Sequence, residues 1–397
     1  MSTWRERYLR FLVVALQLIV ALVAAAGALL VLVPAQTTLL WMLEIIAREQ
    51  GYWFALLTIA VAAIGMIVKS ARSSRAQRVA IGISLIAGVV LMKPTAQAVL
   101  IGGSLPARLA TVGDTTPRAS SAAPARDAPV QFATLFTGIP VHSRPRTLSY
   151  AAANGDTLRM DFIAAATKPA PLVVVIHGGS WRSGSRVDLP ELGQYLADRG
   201  YAVAAVSYRL APRFQYPAAR DDVRRAILYL EQNGPSLGVD PTRLVLLGRS
   251  AGGHLALLSA YADRDPAIRG VVGLYPPVDL RWAYAHPSNP RVLNSSRVLE
   301  EFLGGSPAAT GNRYEEASPL SYVDSGTPPT LLIHGEGDEF VFTENVRRLD
   351  ARLTAATRPH VLVTLPWATH GCDYFIASPC GQIVTYAVER FVAAVTR

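Results

Sequence analysis

The chain has 397 residues, 51% of them apolar, and a formal net charge of +9. The basic excess sits at one end: residues 1–100 hold nine Lys/Arg against three Asp/Glu, whereas residues 146–397 hold 25 against 24. Nucleic-acid binding needs a concentrated basic face, so the near-neutral C-terminal part excludes it, and the two cysteines and seven histidines show no metal-ligand spacing.

Phe11 to Val33 is a run of 23 residues without a charge, long enough as a helix to span a hydrocarbon core of about 30 Å. A signal peptide cleaved near Val33-Pro34-Ala35 is the alternative, but the run exceeds the usual h-region of about 7–15 residues and further apolar segments follow. Tyr52 to Val68 gives 17 uncharged residues, near the short limit. Val79 to Met92 reaches spanning length only by continuing past Lys93 and Pro94 to about Ile101, with Lys93 snorkelling. The reading is about three transmembrane helices within residues 1–105, the third being the weakest. Arg5, Arg7 and Arg10 precede the first, and Lys69, Arg72, Arg75 and Arg78 lie between the second and third. The intervening loop Pro34–Gly51 carries Arg48 against Glu44 and Glu49. The positive-inside rule then places the N-terminus in the cytoplasm and, after three crossings, everything beyond residue 101 outside. Without the third crossing the C-terminal part is cytoplasmic. No mid-membrane charge or paired broken helix suggests a transporter.

From about Pro106 the composition turns to Ala, Pro, Thr, Ser and Arg with no surviving period, which reads as a flexible linker over 106–145. Beyond it, Thr157–Ile163 alternates as a half-buried strand does. Leu172–Ile176 is an unbroken apolar run, as in a central parallel strand covered on both faces. Tyr201–Tyr208, Leu244–Leu247, Gly270–Tyr275, Thr330–Ile333 and Val361–Leu365 are further strands. Helical spacing recurs over Pro217–Gln232, His254–Ala262, Thr343–Ala355 and Gln382–Thr396. Alternating strands and helices imply parallel βαβ units, an α/β domain over 146–397. Residues 281–317 are polar and Pro/Ser-rich, placed where an insertion could cap a site.

The chemistry centres on Gly248-Arg249-Ser250-Ala251-Gly252-Gly253-His254, directly after the strand Leu244–Leu247. Gly-x-Ser-x-Gly between a strand and a helix is the nucleophile elbow, a tight turn that exposes the serine hydroxyl. Around it stand His177-Gly178-Gly179-Ser180-Trp181, Ser207-Tyr208-Arg209-Leu210-Ala211-Pro212, Tyr216-Pro217-Ala218-Ala219 with Asp221-Asp222-Val223, and Gly238-Val239-Asp240-Pro241. In this order the motifs resemble the α/β-hydrolase superfamily, in its esterase/lipase branch with the HGG motif, similar to hormone-sensitive-lipase-like, feruloyl and acetyl-xylan esterases and to kynurenine formamidase. The resemblance covers about residues 145–397. It departs at Ser180, which replaces a usual third glycine, and at Arg249, which would favour an acidic or polar substrate group.

The resemblance implies an α/β-hydrolase fold with a mostly parallel central sheet. A serine needs an adjacent base held by a carboxylate, and in this fold the chain order is Ser, acid, His. Asp338, after the strand Leu331–Ile333, matches the acid, with adjacent Glu339 as fallback, and His370 matches the base. Backbone amides of Gly178, Gly179 and Ala251 are the implied oxyanion donors. His177 is read as bracing its loop, His254 as packing beneath the elbow, and His334 as structural. Trp181 fits either the pocket or the core, and Tyr208 with Arg209 fits a locked turn. Outside the membrane, Cys372 and Cys380 are placed to form a disulfide fixing the loop after His370; two reduced, buried thiols are the alternative. The expected protein is a multi-pass, membrane-anchored serine carboxylic-ester hydrolase, cofactor- and metal-free, acting on a small-molecule or lipid ester. The same acyl-enzyme also suits an acyltransferase or an amidase/formamidase. A non-catalytic hydrolase-fold binding protein is the alternative of another class.

Overall fold

The computed structural model describes residues 4–67, 75–116, 126–153 and 156–397. Helix α1 (Trp4–Leu32) is followed by α2 (Thr38–Glu49), α3 (Gly51–Ile67) and α4 (Arg75–Leu109). Among the described residues, two helices are long and apolar enough to cross a bilayer, Phe11–Leu32 and Arg75–Val112. The expectation of about three such helices is thus met in part: α3, at 17 residues, falls short of that length, and the segment expected to be weakest lies in the longest helix. Proline costs a helix one hydrogen bond, yet α4 runs through Pro94 and Pro106, in a closely packed setting. Leu91 is fully buried, and a Cβ on Gly88 would stand 2.9 Å from Thr58 Oγ1. Small residues allow this close helix–helix approach. Lys69 and Arg72, used above for orientation, lie outside the described residues.

The linker expectation also differs from the structure. Residues 117–125 lie outside the described residues. The flanking parts are docked: Leu105 and Leu109 end α4 inside the core beneath the C-terminal helix. Arg126 is buried, its Nη1 donating to Thr385 Oγ1 at 2.6 Å, and Gln131 N donates to Gln382 Oε1 at 2.8 Å. Helix α5 (Phe132–Thr137) follows.

The remaining strands are β1 (Arg146–Ala153), β2 (Asp156–Ile163), β3 (Ala170–Ile176), β4 (Ala202–Val206), β5 (Val239–Arg249), β6 (Ile268–Leu274), β7 (Thr330–Gly335) and β8 (His360–Leu365). They form one eight-stranded sheet in the order β1-β2-β4-β3-β5-β6-β7-β8. The β1/β2 and β2/β4 pairs are antiparallel, and every pair from β4 to β8 is parallel. Helices α6 (Glu191–Ala197), α7 (Ala218–Leu237), α8 (Ala251–Ala262), α13 (Glu344–Ala355) and α14 (Pro379–Val395) cover the two faces; four short helices, α9 (Leu280–Ala285), α10 (Ser295–Leu303), α11 (Pro307–Thr310) and α12 (Arg313–Glu316), form the cap between β6 and β7. The apolar runs are explained by this sandwich. In β3, Leu172, Val174 and Ile176 enter one core while Val173 and Val175 enter the other, as strands buried on both faces require.

Candidate active site

Strand β5 ends at the elbow, where Ser250 has φ +52° and ψ −120°, a strained conformation for a non-glycine residue. The surrounding structure enforces it. A Cβ on Gly248 would stand 2.1 Å from Gly252 O, and one on Gly252 would stand 2.1 Å from Ile176 O. The elbow is pinned by Ser250 N donating to Leu274 O and His254 N to Ser250 O, both at 2.9 Å.

The structure brings Ser250, His370 and Asp338 together although they come from three loops. Ser250 Oγ lies 2.9 Å from His370 Nε2, and His370 Nδ1 lies 2.7 Å from Asp338 Oδ2. A carboxylate only accepts, so Nδ1 carries the proton and Nε2 is free to accept from the hydroxyl. Asp338 Oδ1 accepts from the amides of Phe340 and Val341, each at 2.9 Å. Burial alone would raise the Asp338 carboxyl; its electrostatic interaction with His370 and the hydrogen bonds from His334 and His370 outweigh it and hold the carboxyl well below its ordinary value. His370 bonds Asp338 rather than adjacent Glu339, whose carboxyl interacts with the Ala35 backbone and Arg48.

The Gly178–Gly179 loop after β3 lies against the elbow: a Cβ on Gly178 would be 3.1 Å from Arg249 O and 3.5 Å from Ser250 Cβ. Gly179 has φ +109°, and a Cβ there would be 2.1 Å from Ser183 O. Ala251 opens α8 and lines the same cleft as Ser250 and His370. Amides in such a position can meet an oxyanion with little reorganisation. Ser180 also lines the cleft and adopts φ +55°, so it occupies a left-handed conformation in place of a third glycine.

The other singled-out residues resolve by contact. His177 Nδ1 donates to Gly178 O at 2.7 Å, and its ring stacks on Tyr208 with centroids 4.2 Å apart. Burial lowers its pKa. Trp181 does both jobs considered for it: it lines the cleft, and its Nε1 donates to His254 Nδ1 at 3.2 Å. His254 Nε2 donates to Ala317 O at 2.6 Å, joining α8 to the cap, and burial pushes its pKa down to about 4. His334 Nε2 donates to Val341 O at 2.7 Å. Arg209 is paired with buried Asp222, Nε to Oδ2 at 2.7 Å. Arg249 corrects the expectation of a substrate-facing cation. It is buried, its Nε pairs with Asp373 Oδ2 at 2.6 Å, and Tyr275 OH donates to the other oxygen of that carboxylate. Cys372 and Cys380 are joined as a disulfide, tying the loop after His370 to the start of α14.

Sequence reasoning missed two contributions. The cap supplies Trp282, Leu293, Val298 and Leu299 to a mainly apolar cleft. Helix α2 touches the histidine loop directly, with Trp41 Nε1 donating to His370 O at 3.1 Å. The signals were present in both: Asn294 followed by Val298, Leu299, Phe302 and Leu303, and the two-faced spacing of residues 38–49.

The sheet, the elbow and the cap define an α/β-hydrolase fold. The BD-FAE family model matches residues 160–353. The chain is similar to esterase LipC of Mycobacterium tuberculosis, 31% identical over 249 residues, covering 58% of this chain and 60% of that protein. It is also similar to the probable carboxylic ester hydrolase LipM of the same organism, 29% identical over 243 residues, covering 58% and 55%. The chain therefore spans less than two thirds of the length of these relatives. Among solved structures it resembles a bacterial heroin esterase, with TM-score 0.56, 26% identity, and coverage of 67% of this chain and 88% of that one. It also resembles esterase LipW of Mycobacterium marinum, with TM-score 0.54, 26% identity, and coverage of 64% and 81%.

Proposed function

We propose that the chain is a membrane-anchored serine carboxylic-ester hydrolase working through an acyl-enzyme. The observation that carries this is the unbroken Ser250–His370–Asp338 relay at 2.9 and 2.7 Å. In the reaction, His370 Nε2 takes the Ser250 proton as Oγ attacks the ester carbonyl. The amides of Gly178, Gly179 and Ala251 receive the developing oxyanion. Collapse expels the alcohol, protonated by His370, and leaves the acyl group on Ser250. Water, deprotonated by the same imidazole, then releases the acid. Apolar Trp282, Leu293, Val298 and Leu299 suit an apolar substituent of the ester.

Membrane anchoring is supported by the two long apolar helices. A parity argument supports a topology for them. Helix α2 touches the hydrolase domain, so both stand on one side of the membrane. The chain between them, α3 and α4, then crosses twice or not at all. With α4 crossing, α3 crosses as well, its 17 residues covering about 26 Å at 1.5 Å per residue. The flanking Arg and Lys residues and the disulfide favour an extracytoplasmic domain. Ser250→Ala should abolish both turnover of short p-nitrophenyl esters and labelling by a fluorophosphonate probe. Undiminished turnover by that variant would overturn the reading.

A further inference from the structure

Helix α2 has its polarity inside out. Its inward face carries Trp41, Glu44, Ile45 and Arg48, with Glu44 and Arg48 buried. Its outward face carries Leu39, Met42, Leu43 and Ile46, which are 66, 51, 41 and 39% exposed. At helical spacing these two sets form opposite stripes. A helix on a water-facing surface has the reverse arrangement.

The inward face is fastened to the catalytic loops. Trp41 donates to His370 O at 3.1 Å and packs on Phe340, centroids 4.5 Å apart; Phe340 in turn stacks on the His370 ring at 5.0 Å. Arg48 Nη1 donates to Trp367 O at 2.6 Å. Beside that face, Glu49 accepts from Trp367 Nε1 at 3.0 Å and from Cys380 N at 2.9 Å. Thr38 Oγ1 donates to Val292 O at 2.9 Å, next to the cleft residue Leu293. Phe340 and Leu293 both line the cleft, so the catalytic cleft lies against the inner side of α2.

In the chain the outward stripe lies between the exposed apolar surfaces of α1 and α3, for example Leu29 and Leu32 before it and Leu56 and Leu57 after it, and α1 is long and apolar enough to cross a bilayer. That position between apolar helices points to the acyl boundary of the bilayer as its occupant, where helices with such a face lie in the membrane plane. We propose that α2 is an interfacial helix, and that the substrate is an ester dissolved in the membrane which reaches Ser250 from the bilayer beside α2. A helix with its side chains is about 10–12 Å across, so the catalytic loops stand one helix thickness from the acyl layer. This deepens, and rests on, the hydrolase reading of the same cleft.

The test uses the full chain in phosphatidylcholine vesicles. Leu39→Lys with Leu43→Lys charges the outward stripe without touching the cleft. Hydrolysis of a long-chain ester dissolved in the vesicles should fall at least tenfold, while a water-soluble acetyl ester should be turned over within twofold of the unsubstituted chain. Both rates unchanged, or both reduced alike, would overturn the proposal. A nitroxide at Met42→Cys supplies a readout that does not depend on the charged variant. Quenching by oxygen dissolved in the bilayer, above that by an aqueous nickel chelate, is expected. Preferential aqueous quenching would overturn it, as would dipolar broadening that vanishes on dilution with unlabelled chain, which would put a second copy on the stripe. Failure of the hydrolase reading looks different: neither ester turned over by the unsubstituted chain and no labelling of Ser250.

Discussion

Asp338→Asn tests the relay at its least visible member, and the structure dictates how the substitution must fail. Oδ1 of Asp338 accepts two backbone amides, those of Phe340 and Val341 at 2.9 Å. In asparagine the carbonyl oxygen must keep that position, because the two backbone N–H donors there are fixed, whereas Oδ2 faces the imidazoles of His370 and, at 3.1 Å, His334, whose ring protons can change nitrogen. The amide nitrogen is thereby forced into the place of Oδ2, 2.7 Å from His370 Nδ1. Two donors cannot share that distance, so the imidazole moves its proton to Nε2. It then points a hydrogen at Ser250 Oγ, 2.9 Å away, and cannot accept the serine proton. Losing the correct tautomer in a Ser-His-Asp relay costs about 10⁴ in kcat, or roughly 5 kcal/mol of barrier at about 1.36 kcal/mol per decade. KM should hold, since Asp338 sits behind His370 and not on the cleft wall. Steady-state kinetics on a short p-nitrophenyl ester, with sites counted by active-site titration, measure both. A kcat within tenfold of the unsubstituted chain would refute the argument and turn attention to Glu339, whose Gln variant would then carry the loss.

Two further outcomes follow from α2. Burial pushes the Glu49 carboxyl up to about 7 from 4.5; a folded-state pKa above the unfolded one means stability is lost as pH rises through that window. Glu49→Gln should therefore gain on the unsubstituted chain by about 3 kcal/mol between pH 4.5 and 8 in denaturant unfolding, and a pH-independent difference would contradict the cause. Trp41→Phe keeps a ring on Phe340 but removes the donor to His370 O; one hydrogen bond of about 1 kcal/mol predicts a kcat per titrated site lowered about fivefold with KM unchanged. An unchanged kcat would leave Trp41 with a packing role only.

The parts of the domain that were legible are those whose burial is local and two-sided. Leu172–Ile176, Leu244–Leu247 and Leu331–Ile333 are unbroken apolar runs because helices cover both faces of the sheet. The elbow was legible because Gly248 and Gly252 are required by backbone contacts as short as 2.1 Å. Strand β1 was not: it lies at the sheet edge, half exposed, with a register shift between Ser149 and Ala151 and an alanine run that carries no period. The cap was obscured by composition, although its helices carry caps that sequence can show. Asp279 accepts from Trp282 N at 3.0 Å, and Asn294 accepts from Arg297 N at 3.1 Å.

The N-terminal 145 residues misled for a different reason. Their decisive partners lie hundreds of positions away: Trp41 at His370, Arg48 at Trp367, Arg126 at Thr385. Charge counting treated Glu44, Arg48 and Glu49 as solvent-exposed loop charges, which is where unpaired charges are cheapest. Folded, they are buried at 0, 7 and 1% exposure, and burial of that kind demands partners. Arg48 pairs with Glu44 and donates to Trp367 O; Glu49 takes the Trp367 and Cys380 donors. A composition-based reading sees a membrane anchor and a separate enzyme. The hydrogen bonds make them one unit: the loop that holds the His370 imidazole draws part of its support from a segment lying between two apolar helices, so the geometry at Ser250 depends on residues that no hydrolase motif contains.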